Sequence, residues 1–391
     1  MNKKIKFYYS ITTYIIFGVF SIITTFYVPY LNQSVGLSLT EIGQVVSIGA
    51  LFAIFSQLFL VNRLSKTRNK KKFIITHLCV VILMIVLLMF TNKNTIYLFA
   101  ILYGISILTI MSIYEIYVED LSVKQNIEYS EIRKWGSIGF GCVVFLSGSI
   151  ISKYGFRTMH LLGILMVAIS IFIIATKFKN IKSNENRKTI KLITILKNKN
   201  VLILGMINIL AIGTYNAIEF AYSTYLIDLT GNNVLANSIY SKSIGLRVFI
   251  EFLSFIIVTK YFKKGSPKKY LIMAFVIAGI KILLFSTGYI PLVVLGDQLH
   301  GIMFAFYLTF LFKYIRKIFE EELVGEIFSF VNVLGSAGAN FVYPQIFSTI
   351  QVNFGYTTMY LVAFSIILSS ALISLKVLPE NEGIMDILNE N

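Results

Sequence analysis

The amino-acid sequence predicts an all-α membrane protein with twelve transmembrane helices in two pseudo-symmetric six-helix bundles. Of its 391 residues, 56% are apolar and only 14% are charged, whereas a soluble domain carries roughly 25% charged residues. The mean hydropathy is +0.76. The apolar runs are continuous and close to the ~20 residues that one helical crossing needs, about twice the length of a β-barrel strand. These features exclude a sizeable soluble domain.

Each half of the chain contains six apolar runs that we interpret as spans. They lie at 7–31, 40–62, 73–91, 95–118, 135–152 and 158–176, and at 201–227, 236–259, 270–288, 290–312, 323–349 and 354–378. A lysine-rich stretch separates the two sets. We therefore predict an N-terminal six-helix bundle at 1–178, a basic cytoplasmic linker at 179–199, and a C-terminal bundle at 200–391 that ends in a short cytoplasmic tail.

The formal charge of +16 is explained by the placement of the basic residues. With the N-terminus inside, 29 of the 35 lysine and arginine residues fall at cytoplasmic ends and loops. This bias orients helices in a bilayer and contacts anionic lipid headgroups. We therefore expect a multi-pass protein of the cell membrane with both termini in the cytoplasm, and no nucleic-acid binding. The segment 188–200 could also lie along the membrane surface as an amphipathic helix.

The sequence lacks motifs for catalysis, nucleotide binding and metal binding. Cys79 and Cys142 both lie in apolar runs, which argues against a disulfide framework or a cysteine metal site. There is no phosphate-binding glycine loop, Ser-His-Asp order or metal-ligand spacing. We expect no enzyme activity, no metal and no cofactor, and we expect a proton gradient as the energy source.

Ionisable residues inside the predicted spans are the main functional signal, since each costs about 2.5–3.5 kcal/mol at mid-membrane. They concentrate in the second half, where Arg247 and Glu251 are four residues apart and Asp297 and His300 are three apart. Each pair shares a helix face and can neutralise itself locally. The alternative is a proton relay, because histidine and a buried carboxylate titrate in the working range. In that case Lys281 sets which carboxylate stays ionised.

Two six-span halves joined by a basic cytoplasmic loop resemble the major facilitator superfamily, whose fold the whole chain is expected to share. The superfamily motif between spans 2 and 3 keeps only its basic charges here, in the stretch 61–72, and Ser65 stands where an aspartate is expected. Span 5 has several glycines but no proline. The sequence therefore lacks the antiporter motif, which makes drug efflux less favoured.

The stretches 115–119 and 133–140 resemble spans 4 and 5 of the proton-coupled symporters typified by lactose permease and the related phenylpropionate and nucleoside permeases. This resemblance implies that Glu115 and Arg133 form a substrate-binding pair and that Ser137 lines the site. Phe140 stands where the sugar symporter has a stacking tryptophan, which puts galactoside recognition in doubt.

The resemblance extends to spans 7, 9 and 10. Tyr215 matches a family tyrosine, Asn216 replaces the first family acid and Glu219 retains the second. Lys281 falls at a functional arginine, and His300 matches the family histidine. The family's proton-carrying glutamate is replaced by Met303, three residues after His300. The implied proton carrier is therefore another group. The candidates are Asp297 and Glu251.

From these observations we predict a secondary active transporter, a monomer that imports a small polar solute with protons by alternating access. A sugar or oligosaccharide, a nucleoside or an aromatic acid all fit the Glu115–Arg133 pair, and the sequence does not choose between them. Nor does it decide between import and export. Two alternatives remain: an exporter of hydrophobic compounds on the same fold, and a membrane sensor that transports nothing.

Overall fold

The computed structural model describes residues 3–127, 129–180, 198–262, 264–319, 324–333, 335 and 338–380. These residues are almost entirely helical, and none of them forms an extended β-strand. Most of the predicted linker at 179–199, the predicted surface helix at 188–200 and the last part of the C-terminal tail lie outside this set.

Seven α-helices lie in the described part of the N-terminal half. They are α1 (Lys3–Thr25), α2 (Tyr27–Tyr30), α3 (Leu39–Lys66), α4 (Lys70–Leu88), α5 (Ile96–Ser106), α6 (Ile110–Lys124) and α7 (Tyr129–Lys177). Polar caps fix where two of them start. Ser38 and Glu41 form a reciprocal capping box at the start of α3, and Asn69 accepts a 3.0 Å hydrogen bond from the Lys72 amide at the start of α4. These caps satisfy amides that have no partner within the helix.

The C-terminal half continues the helical pattern after residue 198. Its helices are α8 (Lys199–Asn208), α9 (Thr214–Ile218), α10 (Tyr222–Thr230), α11 (Asn233–Tyr261), α12 (Pro267–Phe285), α13 (Ile290–Ile318), α14 (Val324–Val333) and α15 (Ala339–Val377). A π-helical turn at Ile209–Gly213 and a 3-10 turn at Glu219–Ala221 link α8, α9 and α10. The first predicted span of this half is therefore irregular in its middle.

The two longest helices break at equivalent glycines. Gly155 in α7 has φ 79° and ψ 169°, and Gly355 in α15 has φ 82° and ψ 170°. Residues with a β-carbon rarely adopt this backbone conformation. An aromatic residue follows each glycine and a Thr-Met pair ends each stretch, at 155–159 and 355–359. Each long helix is thus two arms joined at a glycine, in a local arrangement that the two halves share.

Lysines cap the ends of these same two helices. Lys71 Nζ donates to the carbonyl oxygens of Ala175 and Phe178 at 2.5 and 2.9 Å. Lys268 Nζ donates to the Leu375 carbonyl oxygen at 2.9 Å. A cation at a helix C-terminus satisfies free carbonyls and complements the helix dipole. A lysine therefore stabilises the C-terminal end of the long helix in each half.

Eight segments of the described chain are long and apolar enough to cross a bilayer, judged by length and composition. They are Lys4–Thr25, Leu39–Leu64, Lys70–Leu88, Ile96–Ser122, Glu131–Lys177, Lys199–Thr230, Ile290–Ile318 and Ala339–Val377. Large apolar side chains such as Phe172, 67% exposed, remain on the surface, which is expected where lipid is the solvent. The all-helical, membrane-spanning architecture is confirmed, whereas the count of twelve spans remains a prediction.

The chain groups into two compact units. The first comprises Met1–Arg187 with Ser223–Val248, and the second comprises Lys188–Tyr222 with Phe249–Asn391. The first part of α11 thus belongs with the N-terminal half. Within the first unit, Gln33 and Asn237 exchange two side-chain amide hydrogen bonds of 2.9 Å, and the Tyr240 hydroxyl donates to the Thr25 carbonyl oxygen at 3.0 Å. These contacts attach α11 to the end of the first predicted span. The predicted bundle boundaries at 1–178, 179–199 and 200–391 remain predictions.

Candidate functional site

The first candidate site lies in the first unit, where α6 and α7 bring Glu115 and Arg133 together. Arg133 Nε donates to Glu115 Oε1 at 2.6 Å, and Arg133 Nη1 donates to Ser137 Oγ at 3.3 Å. The two charged side chains are 35% and 36% exposed. The pair is therefore charge-assisted and reachable by a solute.

One face of α7 carries the predicted residues of this site. Ser137 and Phe140 follow Arg133 at intervals of four and seven residues, which places all three along one stripe of a helix. Phe140 is half-buried. The structure thus brings Glu115, Arg133 and Ser137 into contact and leaves Phe140 two turns along the same face, while their roles in binding remain predictions.

Two residues beside this pair were not predicted from the sequence. The Phe17 ring of α1 lies under the guanidinium, with its centroid 4.2 Å from Arg133 Cζ. Tyr129 lies one turn before Arg133 on α7. Burial, and then the charge of Glu115, raise the pKa of Tyr129 above its usual value, and Arg133 offsets this only in part. Tyr129 therefore keeps its phenolic proton. Helical spacing could have identified Tyr129, but nothing in the local sequence singles out Phe17.

The second candidate site lies in the second unit, around the irregular span 7. The π-helical turn Ile209–Gly213 precedes α9, which carries Tyr215, and the 3-10 turn after α9 begins at Glu219. Such departures from α-helical geometry are frequent at functional sites. Here they flank Tyr215 and Asn216, and Glu219 is the first residue of the 3-10 turn.

Lys281 of α12 is the centre of this second site. Its ammonium donates to the Asp297 carboxylate at 3.1 Å, to the Tyr215 hydroxyl at 3.0 Å, and also to the Glu219 carboxylate. The Lys281 and Asp297 side chains are wholly buried, whereas that of Glu219 is 20% exposed. The rings of Tyr215 and Phe285 lie 4.8 and 5.1 Å from Lys281 Nζ. A buried charge needs such partners, because isolated it would cost several kcal/mol.

A close helix approach positions Asp297 against Lys281. A β-carbon at Gly296 would lie 3.0 Å from the Leu284 side chain and 3.2 Å from the Lys281 carbonyl oxygen. The glycine therefore allows α13 to pack tightly on α12. The neighbouring aspartate then reaches the ammonium.

Tyr215 links Lys281 to His300 of α13. The Tyr215 hydroxyl and His300 Nδ1 share a hydrogen bond of 2.6 Å. The Tyr215 oxygen also accepts from Lys281, so one hydroxyl group joins both side chains. The His300 ring stacks on Phe304 at 5.7 Å. Lysine, tyrosine and histidine therefore form a continuous hydrogen-bonded chain.

Asn216 and Glu251 are the remaining predicted residues of the C-terminal half. Asn216 is half-buried next to Tyr215, and Glu251 is half-buried on α11 in the second unit. Arg247, one turn before Glu251, belongs to the first unit. Among the described histidine, cysteine and acidic residues, no group of three is placed to hold a metal ion. The proton-carrying role of Glu251 remains a prediction.

The family assignment comes from comparison with known proteins. The model of the MFS_1 like family matches residues 7–362. The chain belongs to this family. The major facilitator resemblance seen in the sequence is thereby confirmed.

Several members of the wider transporter group resemble this MFS_1 like protein. It is 22% identical over 337 residues to the sucrose permease of Escherichia coli, covering 81% of this chain and 80% of that one. The nucleoside transporter NupG superposes with a TM-score of 0.81 at 15% identity, over 96% and 98% of the chains. The D-xylose-proton symporter superposes with a TM-score of 0.73 at 13% identity, over 98% and 99%.

These relatives and structural neighbours are transporters. The MFS_1 like chain is accordingly a multi-pass membrane transporter and not an enzyme. The structural likenesses, all below 25% identity, establish the fold.

Proposed function

We propose that this transporter imports a neutral polyhydroxylated solute, a sugar or a nucleoside, together with a proton. The observation that carries the proposal is the ammonium of Lys281, which two carboxylates share inside a buried cluster. That cluster continues through Tyr215 to His300.

The shared ammonium supports proton coupling. Glu219 and Asp297 compete for Lys281, so protonating one carboxylate strengthens the ion pair of the other. We choose Asp297 as the proton carrier. Its side chain is wholly buried, so water does not stabilise the charged carboxylate. Glu219 is partly exposed and serves as the entry point. In this proposal the Asp297 carboxylate takes the place of the proton-carrying glutamate that the family has at the position of Met303.

The first site supports a neutral solute. Glu115 and Ser137 already engage Nε and Nη1 of the Arg133 guanidinium, so an anionic solute that binds the other N–H groups would lie close to the Glu115 carboxylate and be repelled by it. A hydroxyl group can instead donate to the carboxylate and accept from the guanidinium without separating the charges. The names of the sucrose permease, the nucleoside transporter and the D-xylose-proton symporter agree with this class. Of the three solute classes that fit the sequence, the aromatic acid is therefore the least favoured.

We also propose that the protein works in the cell membrane with both termini in the cytoplasm. The placement of 29 of the 35 lysine and arginine residues supports this orientation. Import follows the inward proton gradient.

Two other functions make different predictions. An exporter of hydrophobic compounds binds by apolar packing and tolerates loss of Glu115 and Arg133. A sensor accumulates nothing. The partly exposed ion pair and the buried ionic cluster both favour a polar solute that is moved with a proton.

The test uses the purified chain in liposomes with an imposed pH gradient, alkaline inside. Labelled sucrose, D-xylose, uridine and benzoate are offered in turn, and internal pH is followed with a trapped dye. We expect accumulation of at least one neutral solute, with matching proton entry, and no more benzoate than in protein-free liposomes under the same gradient. Protein-dependent accumulation of benzoate alone, or of no solute, would overturn the proposal.

A further inference from the structure

We propose that Phe17 is a positioning residue for solute binding, a role that rests on the function proposed above. Its ring holds the Arg133 guanidinium in the plane from which Arg133 bonds Glu115 and Ser137. The ring centroid lies 4.2 Å from Arg133 Cζ, well inside the ~6 Å range in which a cation is attracted to an aromatic face.

The surrounding packing fixes this ring. Phe17 is only 5% exposed, so the groups packed around the ring hold it in place. Gly136, one turn after Arg133 on α7, provides the space, since a β-carbon there would lie 2.8 Å from the ring. The ring therefore covers Arg133 and Gly136 together, on the stripe of α7 that also carries Ser137.

This arrangement defines how the pair meets a solute. The hydrogen bonds to Glu115 and Ser137 lie along the edge of the guanidinium, and its central carbon lies over the Phe17 ring. Without the ring, the long arginine side chain regains rotamer freedom, which is lost again whenever solute binds. Phe17 thus affects affinity by preparing Arg133 and does not itself recognise hydroxyl groups.

The decisive experiment replaces Phe17 with mono-, di- and trifluorophenylalanine, which keep the size of the ring but weaken its negative face. We expect KM for the transported neutral solute to rise with each fluorine, with little change in the maximal rate. Phe17→Leu is expected to raise KM by about 3- to 30-fold, and Phe17→Trp to restore it. A KM that is flat across the fluorinated series would overturn the proposal.

Phe20 provides the matched control. It lies one turn further along α1 and lines a small apolar cavity with Ile16 and Ile107. The same fluorinated residues at position 20 are expected to leave KM unchanged. An equal effect at both positions would contradict a role specific to Phe17.

A second readout does not depend on the solute. In protein labelled with ¹⁵N-arginine, the Phe17 ring shifts the Nε–H signal of Arg133, and we expect Phe17→Leu to move that signal. If neither sucrose, D-xylose nor uridine is transported, the proposed function fails, while this signal still tests the contact. If the signal does not move, the positioning role fails whatever the solute.

Discussion

The ammonium of Lys281 contacts the carboxylate of Asp297 at 3.1 Å, and neither side chain is exposed. Sixteen residues separate them in sequence, and they meet because α13 packs closely on α12 at Gly296. Burying one partner without the other would leave an uncompensated charge in a low-dielectric interior. The fold therefore needs both charges of the pair. In the proposed mechanism, a proton that binds the carboxylate leaves the ammonium without this charged partner.

Loss of the ammonium is expected to destabilise the fold. Lys281→Gln leaves the Asp297 and Glu219 carboxylates without this partner, at a cost of about 3–5 kcal/mol. The loss is expected to shrink at acidic pH, because protonation removes the unpaired charges. Thermal unfolding in detergent at several pH values measures this.

Lys268→Gln is the control for that variant. Lys268 is also a buried lysine of α12, but its ammonium caps the end of α15 at Leu375. We expect a smaller loss of stability, and that loss should not change with pH.

In the double variant Lys281→Gln/Asp297→Asn, we expect part of the stability lost in Lys281→Gln to return. A double variant as unstable as the sum of both single changes would argue against a direct coupling.

The hydroxyl group of Tyr215 is expected to be needed for coupling. Tyr215→Phe removes the atom that joins Lys281 to His300, so proton entry should fall more than solute exchange. Tyr307→Phe is the matched control, because its hydroxyl is also buried on α13 but lies against Asn208 of α8. Comparing proton entry with exchange in the two variants tests the link, and equal effects would count against it.

The Glu115–Arg133 pair is expected to set solute affinity. Glu115→Gln or Arg133→Lys removes a charge-assisted hydrogen bond, worth about 1.5–3 kcal/mol, which corresponds to roughly 10- to 100-fold in KM. Glu119→Gln, an exposed residue one turn along α6, should leave KM near the wild-type value. Retention of affinity in the first two variants would favour the exporter of hydrophobic compounds.

Much of this arrangement follows from the sequence. Continuous apolar runs predict the helices. The ionisable residues within those runs identify Lys281, Asp297 and His300 as candidate site residues. Helical spacing alone could not show that Tyr215 joins two of them, because that contact depends on the packing of α9 against α12 and α13. Nor did the apolar pattern reveal that span 7 changes helix type, since the π-helical turn Ile209–Gly213 is as apolar as the helix before it.

The contacts of α11 with the N-terminal half could not be predicted from the sequence. Its amide pair Gln33–Asn237 lies between residues 204 positions apart, and neither residue carries a charge that would draw attention. Clustering of 223–248 with the N-terminal half is likewise a consequence of packing and not of local composition.

The most direct test of proton coupling compares wild-type protein and Asp297→Asn in liposomes, with solute and proton fluxes recorded together. For the wild type we expect solute accumulation driven by an imposed pH gradient. For Asp297→Asn we expect exchange of solute down its own gradient to continue while accumulation and proton entry are lost. Undiminished proton-driven accumulation by Asp297→Asn would contradict the assignment of the proton to this carboxylate.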